Sequence, residues 1–561
     1  VRLLQLRESG GRLAAQRGAG AFSSRLLWGP QSMRYLRRFR GHRKDVYCIG
    51  FDKSGRLLIT GSDDRLVKIW CAKTGLLRRT CRGHEGEITE VAVSAGNTIL
   101  ATGSNDCFVR TWSLKQESLG YPLAALMGHT MAITALCFHP KIEYLLVSAS
   151  DDGTCRLWDA RTAKQPSRIA RAGATADAEA TGANAPSMLY CAFNPDGEYF
   201  VAGTSACTVH VWSMEKEALD LERSTGRSPF VSTRLFREIC ELTSHRNDVS
   251  FVQFSHAGDS LVTASSDGSV RVWGKRHVTE RDLWGLEHVL LCTKDDAALD
   301  AIRRRRGRAS ALNRSLCEVN QALWSLDDRH IIASVADFSI RTWDAATGQL
   351  RHKLLGHADH VFVLACHPHD PRLLMTAGYD ARIFLWDVEK GQELQRFFNE
   401  GEQVTLPYKL QDGQFSPDGS MFAVSDEVGQ FSFYGLGTPE RFENAKFDQF
   451  FASDYNGLIR DQHGMVADVV SQLPPHHQCE QESICDSQLQ AYPEPYQSFF
   501  ESEAIALGAP VPVVEPPTPL DDETLISPEI AAAMWAAHRE RKQLEFVMVE
   551  HGLAPPSSLP T

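Results

Sequence analysis

Residues 83–112 read GHEGEITEVAVSAGNTILATGSNDCFVRTW: a Gly-His pair, an alternating apolar segment, Thr-Gly-Ser, an Asp and a closing Trp. The same order returns from Gly41 to Trp70, from Gly128 to Trp158 and from Gly356 to Trp386. Alternation with a period of two marks strands, and a recurring unit marks a tandem array in which each unit packs on its neighbours. Closing aromatic residues stand at Trp70, Trp112, Trp158, Trp212, Trp273, Trp343, Trp386 and, by substitution, Tyr434.

Repeats of about 40–45 residues with Gly-His and Trp-Asp signatures indicate four-stranded propeller blades, and the longer spacings hold loop insertions. The fold class is therefore all-β, a β-propeller, with eight blades expected and seven as the competing count. Met33 to Phe39, ahead of the first Gly-His, is expected to supply the outer strand of the last blade, so that no sheet edge stays open.

This pattern resembles the WD-repeat family across residues 33–436. In that family the His, a Ser or Thr on the second strand, the Asp six residues before the Trp, and the Trp form a buried polar chain inside each blade. The resemblance carries these roles to His42, Ser62, Asp64 and Trp70; to His84, Ser104, Asp106 and Trp112; to His129, Ser150, Asp152 and Trp158; and to His245, Ser265, Asp267 and Trp273. A buried carboxylate needs hydrogen bonds, as does a buried indole N–H, so these groups read as framework. The remaining blades break the pattern: Ala206 replaces the Asp before Trp212, Val335 replaces the Ser before Trp343, Gly378 replaces the Ser before Trp386, and Ser425 and Asp426 are out of step before Tyr434.

Beyond the last blade, residues 433–461 read FYGLGTPERFENAKFDQFFASDYNGLIRD. This stretch, with residues 34–70 and 360–387, resembles the bromodomain-and-WD-repeat family; Asp448, Phe451, Asp454, Tyr455, Arg460 and Asp461 carry the tail motif. The resemblance implies a nuclear, or nuclear and cytoplasmic, chromatin-associated regulator of transcription and cell shape that serves as substrate receptor of a cullin-RING ubiquitin ligase. Its partners would be a ligase adaptor and chromatin or signalling proteins. Phe447, Phe450, Phe451 and Tyr455 are too apolar for a free tail and are expected to pack on the propeller, with Arg460 and Asp461 in surface pairs.

Two local features go beyond the repeat. Trp158, Asp159, Ala160 and Arg161 are similar to the box by which ligase-bound propellers dock on their adaptor, since an Arg fork suits a partner carboxylate. The plainer alternative is that Asp159 and Arg161 cap a blade turn. The insertion 277–316 carries Arg303, Arg304, Arg305, Arg306 and Arg308, which attract a polyanion such as nucleic acid or else form a solvated loop or an import signal.

Composition bounds the rest. The chain has 561 residues, 43% hydrophobic and 23% charged, as in a soluble globular protein, and its net charge of -11 argues against a whole-protein nucleic-acid footprint. The 14 cysteines show no CxxC pair and read as reduced thiols, while His476, His477, Cys479 and Cys485 fit no zinc spacing. No apolar run reaches the ~18 residues of a membrane span. No nucleophile motif, phosphate loop or metal cluster stands apart from the repeat, so no catalytic residue, cofactor, metal or small-molecule substrate is expected. Residues 1–32, with Glu8 the only acid, read as a disordered or truncated lead-in rather than a transit peptide. Residues 437–470 form the extension, 471–526 a Pro-rich acidic linker, and 527–552 a helix capped by Ser527 and Pro528 that packs on the propeller or binds a partner.

Overall fold

A computed structural model describes residues 33–162, 168–171, 186–214, 236–278, 281–293, 316–399, 407–460 and 466–471, with short pieces between 474 and 500. The chain divides into a unit ending at Val511 and a second from Pro512 to Thr561; every described residue belongs to the first. The 527–552 helix, the 303–308 arginines and Asp461 lie outside the described residues.

Among the described residues the chain builds eight four-stranded antiparallel sheets. Blade 1 consists of Val46–Phe51, Leu57–Ser62, Val67–Cys71 and Leu77–Cys81, and each later blade repeats the order: blade 2 from Ile88, blade 3 from Ile133, blade 4 from Met188, blade 5 from Val249, blade 6 from Val319, blade 7 from Val361 and blade 8 from Leu410. The fourth strand of blade 8 is the N-terminal Arg34–Arg40, antiparallel to Gln430–Gly435. Eight is thus the blade count, and the N-terminal strand closes the ring.

The innermost strand of every blade is nearly all buried, and its second residue alone is half-buried. That residue faces the channel, where its polar groups stitch blade to blade. Thr89 Oγ1 donates to the Ile133 carbonyl at 2.6 Å, Thr134 Oγ1 to Met188 at 2.5 Å and Ser250 Oγ to Val319 at 3.2 Å. At the closing seam the Asp412 and Gln414 side chains accept from the Ile49 and Phe51 amides at 3.0 and 2.8 Å.

Two faces follow from the strand order. The upper face carries the turns between second and third strands and the crossings between blades; the lower face carries the other turns. Lower turns brace one another. His139 Nε2 donates to the Gly197 carbonyl at 3.1 Å, and Gly197 is a glycine because its φ is +78° and a Cβ would stand 2.3 Å from that nitrogen.

Residues 437–460 run as a strap across the seam between blades 8 and 1. Low on the ring, Phe442 stacks on Phe433 at 5.1 Å and Arg441 donates to the Ala72 and Lys73 carbonyls. Midway, the Arg40 and Gln449 main chains bond, and the Gln449 side chain joins the Leu77 amide (2.8 Å) to the Gly75 carbonyl (2.9 Å). At the top, Leu458–Arg460 pairs with Val466–Asp468 beside the blade 1 to blade 2 crossing. Phe442, Phe450, Ile484 and Phe500 are buried there, whereas the Phe447 ring is 42% exposed, so of the tail aromatics expected to pack it is the one that stays out.

Candidate functional site

The polar set of each regular blade is a directional chain. In blade 1 the Trp70 indole donates to Thr60 Oγ1 (3.0 Å), the Thr60 hydroxyl donates to His42 Nε2 (2.7 Å), and His42 Nδ1 donates to the Asp64 carboxylate (3.0 Å). This order gives each imidazole nitrogen one partner, with Nδ1 the donor and Nε2 the acceptor, and the Asp64 carboxylate also takes the Arg43 and Leu66 amides. The same chain runs through Trp112, Thr102, His84 and Asp106; Trp158, Ser148, His129 and Asp152; Trp273, Thr263, His245 and Asp267; and Trp386, Thr376, His357 and Asp380.

The hydroxyl of the chain corrects the sequence reading. Ser62, Ser104, Ser150 and Ser265 are not its members; each instead accepts the amide of the Asp two residues on, at 3.1–3.2 Å, and shapes the turn. The register gives the cause: Trp70 pairs with Leu58, so the indole reaches the residue two further on, Thr60, and Ser62 stands at the strand end. Blade 7, read as incomplete at Gly378, is complete through Thr376. Thr60→Val is therefore expected to destabilise by about 2–4 kcal/mol, since it strands two buried partners, and Ser62→Ala by about 1 kcal/mol. Urea unfolding of the two variants checks this, and a larger loss with Ser62→Ala would contradict the assignment.

Irregular blades replace the set with other charges. In blade 6 Ala333 holds the hydroxyl position opposite Arg341, and the fully buried Arg341 pairs with Asp337 at 2.8 Å and donates to the Thr293 carbonyl at 2.6 Å. In blade 4 His210, stacked on Trp212, bonds Glu238 at 2.7 Å. Among the described residues no group of three metal-ligating side chains occurs; Cys485 is buried, and His476, His477 and Cys479 lie outside them.

Burial pushes the Asp64 carboxyl up, but His42 and the Arg43 amide outweigh it and hold it at about 2. The same balance sets Asp106, Asp152 and Asp267 below the usual range, while burial lowers His84, His129 and His245. His139 is held at about 4, burial outweighing its bond to Gly197. In an unfolded chain these imidazoles take a proton near pH ~6.5, so their contribution is complete above that value and is lost as the pH falls toward the folded values. From pH ~7 to ~5 His139 alone removes about 2 kcal/mol. Asp63 and Asp426, both pushed up to about 6 chiefly by burial, act the other way and together offset an amount comparable to the His139 loss, so the net fall with acid rests on His84, His129 and His245 as well. The urea midpoint should be lower at pH ~5 than at pH ~7; an equal or higher midpoint contradicts the balance.

On the lower face Asp159 and Arg161 form a closed unit. The Arg161 Nε and Nη2 donate to the two Asp159 oxygens at 3.0 and 2.8 Å, its amide bonds the same carboxylate, and its guanidinium lies 3.6 Å from the Tyr144 ring centroid. The Asp caps the turn, and the Arg side chain, half exposed, is held flat against the tyrosine with its Nη1 edge unused by this pair.

The tail residues meet blade 1 and its neighbour. Asp454 is fully buried against Lys68 Nζ, which also sits 4.9 Å from the Phe450 ring, and its Oδ2 accepts the Phe451 amide. Arg82 pairs with Asp468 at 2.7 Å, also buried. Arg460 pairs with Glu85 at 3.3 Å and lies over Phe108, and Tyr455 receives Arg43 on its ring at 4.7 Å. Asp448 accepts the Ser487 hydroxyl at 2.8 Å, and the Phe451 ring meets Phe500. Sequence reasoning missed Lys68 and Arg82; Lys68 sits inside a strand pattern, where a buried cation gives no periodic signal.

The WD domain, G-beta repeat model matches residues 33–71, 75–113, 120–159, 181–213, 236–274 and 348–387, which leaves out the first three strands of the irregular blades 6 and 8. A bromodomain and WD repeat-containing protein of Dictyostelium discoideum is 31% identical over 83% of this chain. The chain is a WD-repeat propeller related to the bromodomain and WD repeat-containing proteins. It spans only 22% of that relative's length. Human striatin-4 is 26% identical over 48% of this chain and 37% of its own. The computationally designed Ika8 protein covers 72% of this chain and all of its own at a TM-score of 0.51 and 21% identity, a likeness of fold alone.

Proposed function

We propose that this propeller is a non-enzymatic interaction scaffold within a chromatin-associated regulator, and that it serves as the substrate receptor of a cullin-RING ubiquitin ligase in the nucleus. One observation carries the scaffold reading: the His–Asp pairs that could have been catalytic recur in five blades, each locked into the same buried hydrogen-bond chain. What is left to act is the surface, and loops on a rigid ring are free to bind while the strands hold the core. The relation to a bromodomain-containing protein supports the chromatin assignment.

For the ligase, the lower face supplies Arg161. Its stack on Tyr144 and its pair with Asp159 fix the guanidinium before any partner arrives, which spares the ordering cost of a long side chain. Affinity purification of the intact protein should recover cullin-ligase subunits, and Arg161→Ala with Tyr144→Ala should lose them. Recovery undiminished by the double variant removes the docking assignment, and no ligase subunit with either protein removes the receptor reading.

A further inference from the structure

The upper mouth of the channel has a chemistry of its own. In every blade the first residue after the second strand gives its amide to the carbonyl of the residue before the first strand, at 2.9–3.1 Å. The ring of eight such pairs encircles the mouth. In blades 8, 1 and 2 it presents Glu427, Asp45, Asp63 and Glu87, and in blade 7 the pair is His360 with Tyr379. Asp151, Asp248 and Glu318 continue the acidic ring on the far side, and Lys409 is its one lysine or arginine.

Aromatic faces stand beside these acids. The Phe362 ring lies 4.7 Å from Tyr379 and 6.0 Å from His360, which in turn meets Phe338 at 5.1 Å, and all four are only half-buried. This arc already takes one cation, since Lys409 Nζ lies 5.3 Å from the Tyr379 ring centre. Asp63 Oδ1 and His360 Nδ1 are enclosed without a hydrogen-bond partner among the described residues. Burial and the nearby Glu87 and Asp45 charges push the Asp63 carboxyl up to about 6, a repulsion that an incoming cation relieves.

We propose that this arc, from Phe362 and Tyr379 across to Asp45, Asp63 and Glu87, docks an extended peptide carrying lysine or arginine side chains. One cation of the peptide lies against the Tyr379 and Phe362 faces, and another pairs with the Asp63 and Glu87 carboxylates. A nucleic-acid backbone is repelled by the same ring, so the occupant is a cationic protein segment. The inference rests on the scaffold reading and specifies one class of partner for its upper face.

The test is fluorescence anisotropy of the intact protein with a short labelled peptide alternating lysine with alanine, and with its glutamate counterpart. The lysine peptide should bind saturably and more weakly as salt rises, and the glutamate peptide should not bind. Tyr379→Ala and the exposed Glu87→Gln should each weaken binding by about tenfold or more, and Lys141→Ala, in a lower-face turn on the other side of the ring, should leave it unchanged. Absence of saturable binding, equal binding of the glutamate peptide, or full affinity in Tyr379→Ala and Glu87→Gln with an unaltered melt would overturn the proposal. Partner proteins recovered by a chain that ignores the lysine peptide would defeat this inference and leave the scaffold reading intact.

Discussion

Asp454→Ala is expected to destabilise the protein by about 3–5 kcal/mol, because it leaves the Lys68 ammonium buried without the carboxylate it is paired with. Both side chains of the pair are fully buried, and Lys68 also lies against the Phe450 ring and near the Asp64 carboxylate. The substitution also removes the acceptor of the Phe451 amide, which starts the turn that carries the strap upward. Replacing both partners, Lys68→Met with Asp454→Leu, removes the charge with its counter-charge and should recover most of the loss. Urea unfolding of the single and double variants measures the difference. A single variant as stable as the wild type would mean that the strap does not bury this pair.

The second large effect is at the closing strand. Phe39 is fully buried against Phe431, Phe433 and Phe442, so it ties the N-terminal strand, the third strand of blade 8 and the strap into one cluster. Phe39→Ala should cost about 3–5 kcal/mol through lost burial and the cavity left behind. Deleting Met33 to Phe39 goes further: it exposes the Gln430–Gly435 edge, whose unpaired amides and carbonyls then invite another chain. The deleted protein should melt lower or aggregate, as light scattering during a thermal melt would register. An unchanged melt would exclude closure by this strand.

The sequence made the ring legible because the Trp spacing is set by the blade, and the blade count survives where the other signature residues fail, as at Trp343 and Tyr434. It did not distinguish Thr60 from Ser62. Both point to the same side of a strand, and only the pairing of Leu58 with Trp70 shows which hydroxyl lies under the indole. Blade 6 illustrates a different limit: Ala333 and Arg341 look like unrelated losses along the chain, and only their cross-strand pairing shows an arginine standing in for the histidine. Asp454 was legible as part of a motif, but its partner lies 386 residues away in blade 1, beyond any local pattern. Which residues line the upper mouth was illegible for a related reason, since Tyr379, Asp63 and Glu87 come together only when the ring closes.

These particulars converge on a single claim: the folded unit is the propeller together with its strap, and the seam between blades 8 and 1 is held by both. Hydrogen–deuterium exchange on the intact protein and on Asp454→Ala tests it most directly. The account predicts that the Arg34–Arg40 amides, the Gln430–Gly435 amides and the Leu77 amide lose protection together in the variant, while the inner strands of blades 3 to 6 keep theirs. Protection at Arg34–Arg40 that is unmoved by the substitution, or a strap whose Phe451 amide already exchanges freely in the wild type, would contradict it.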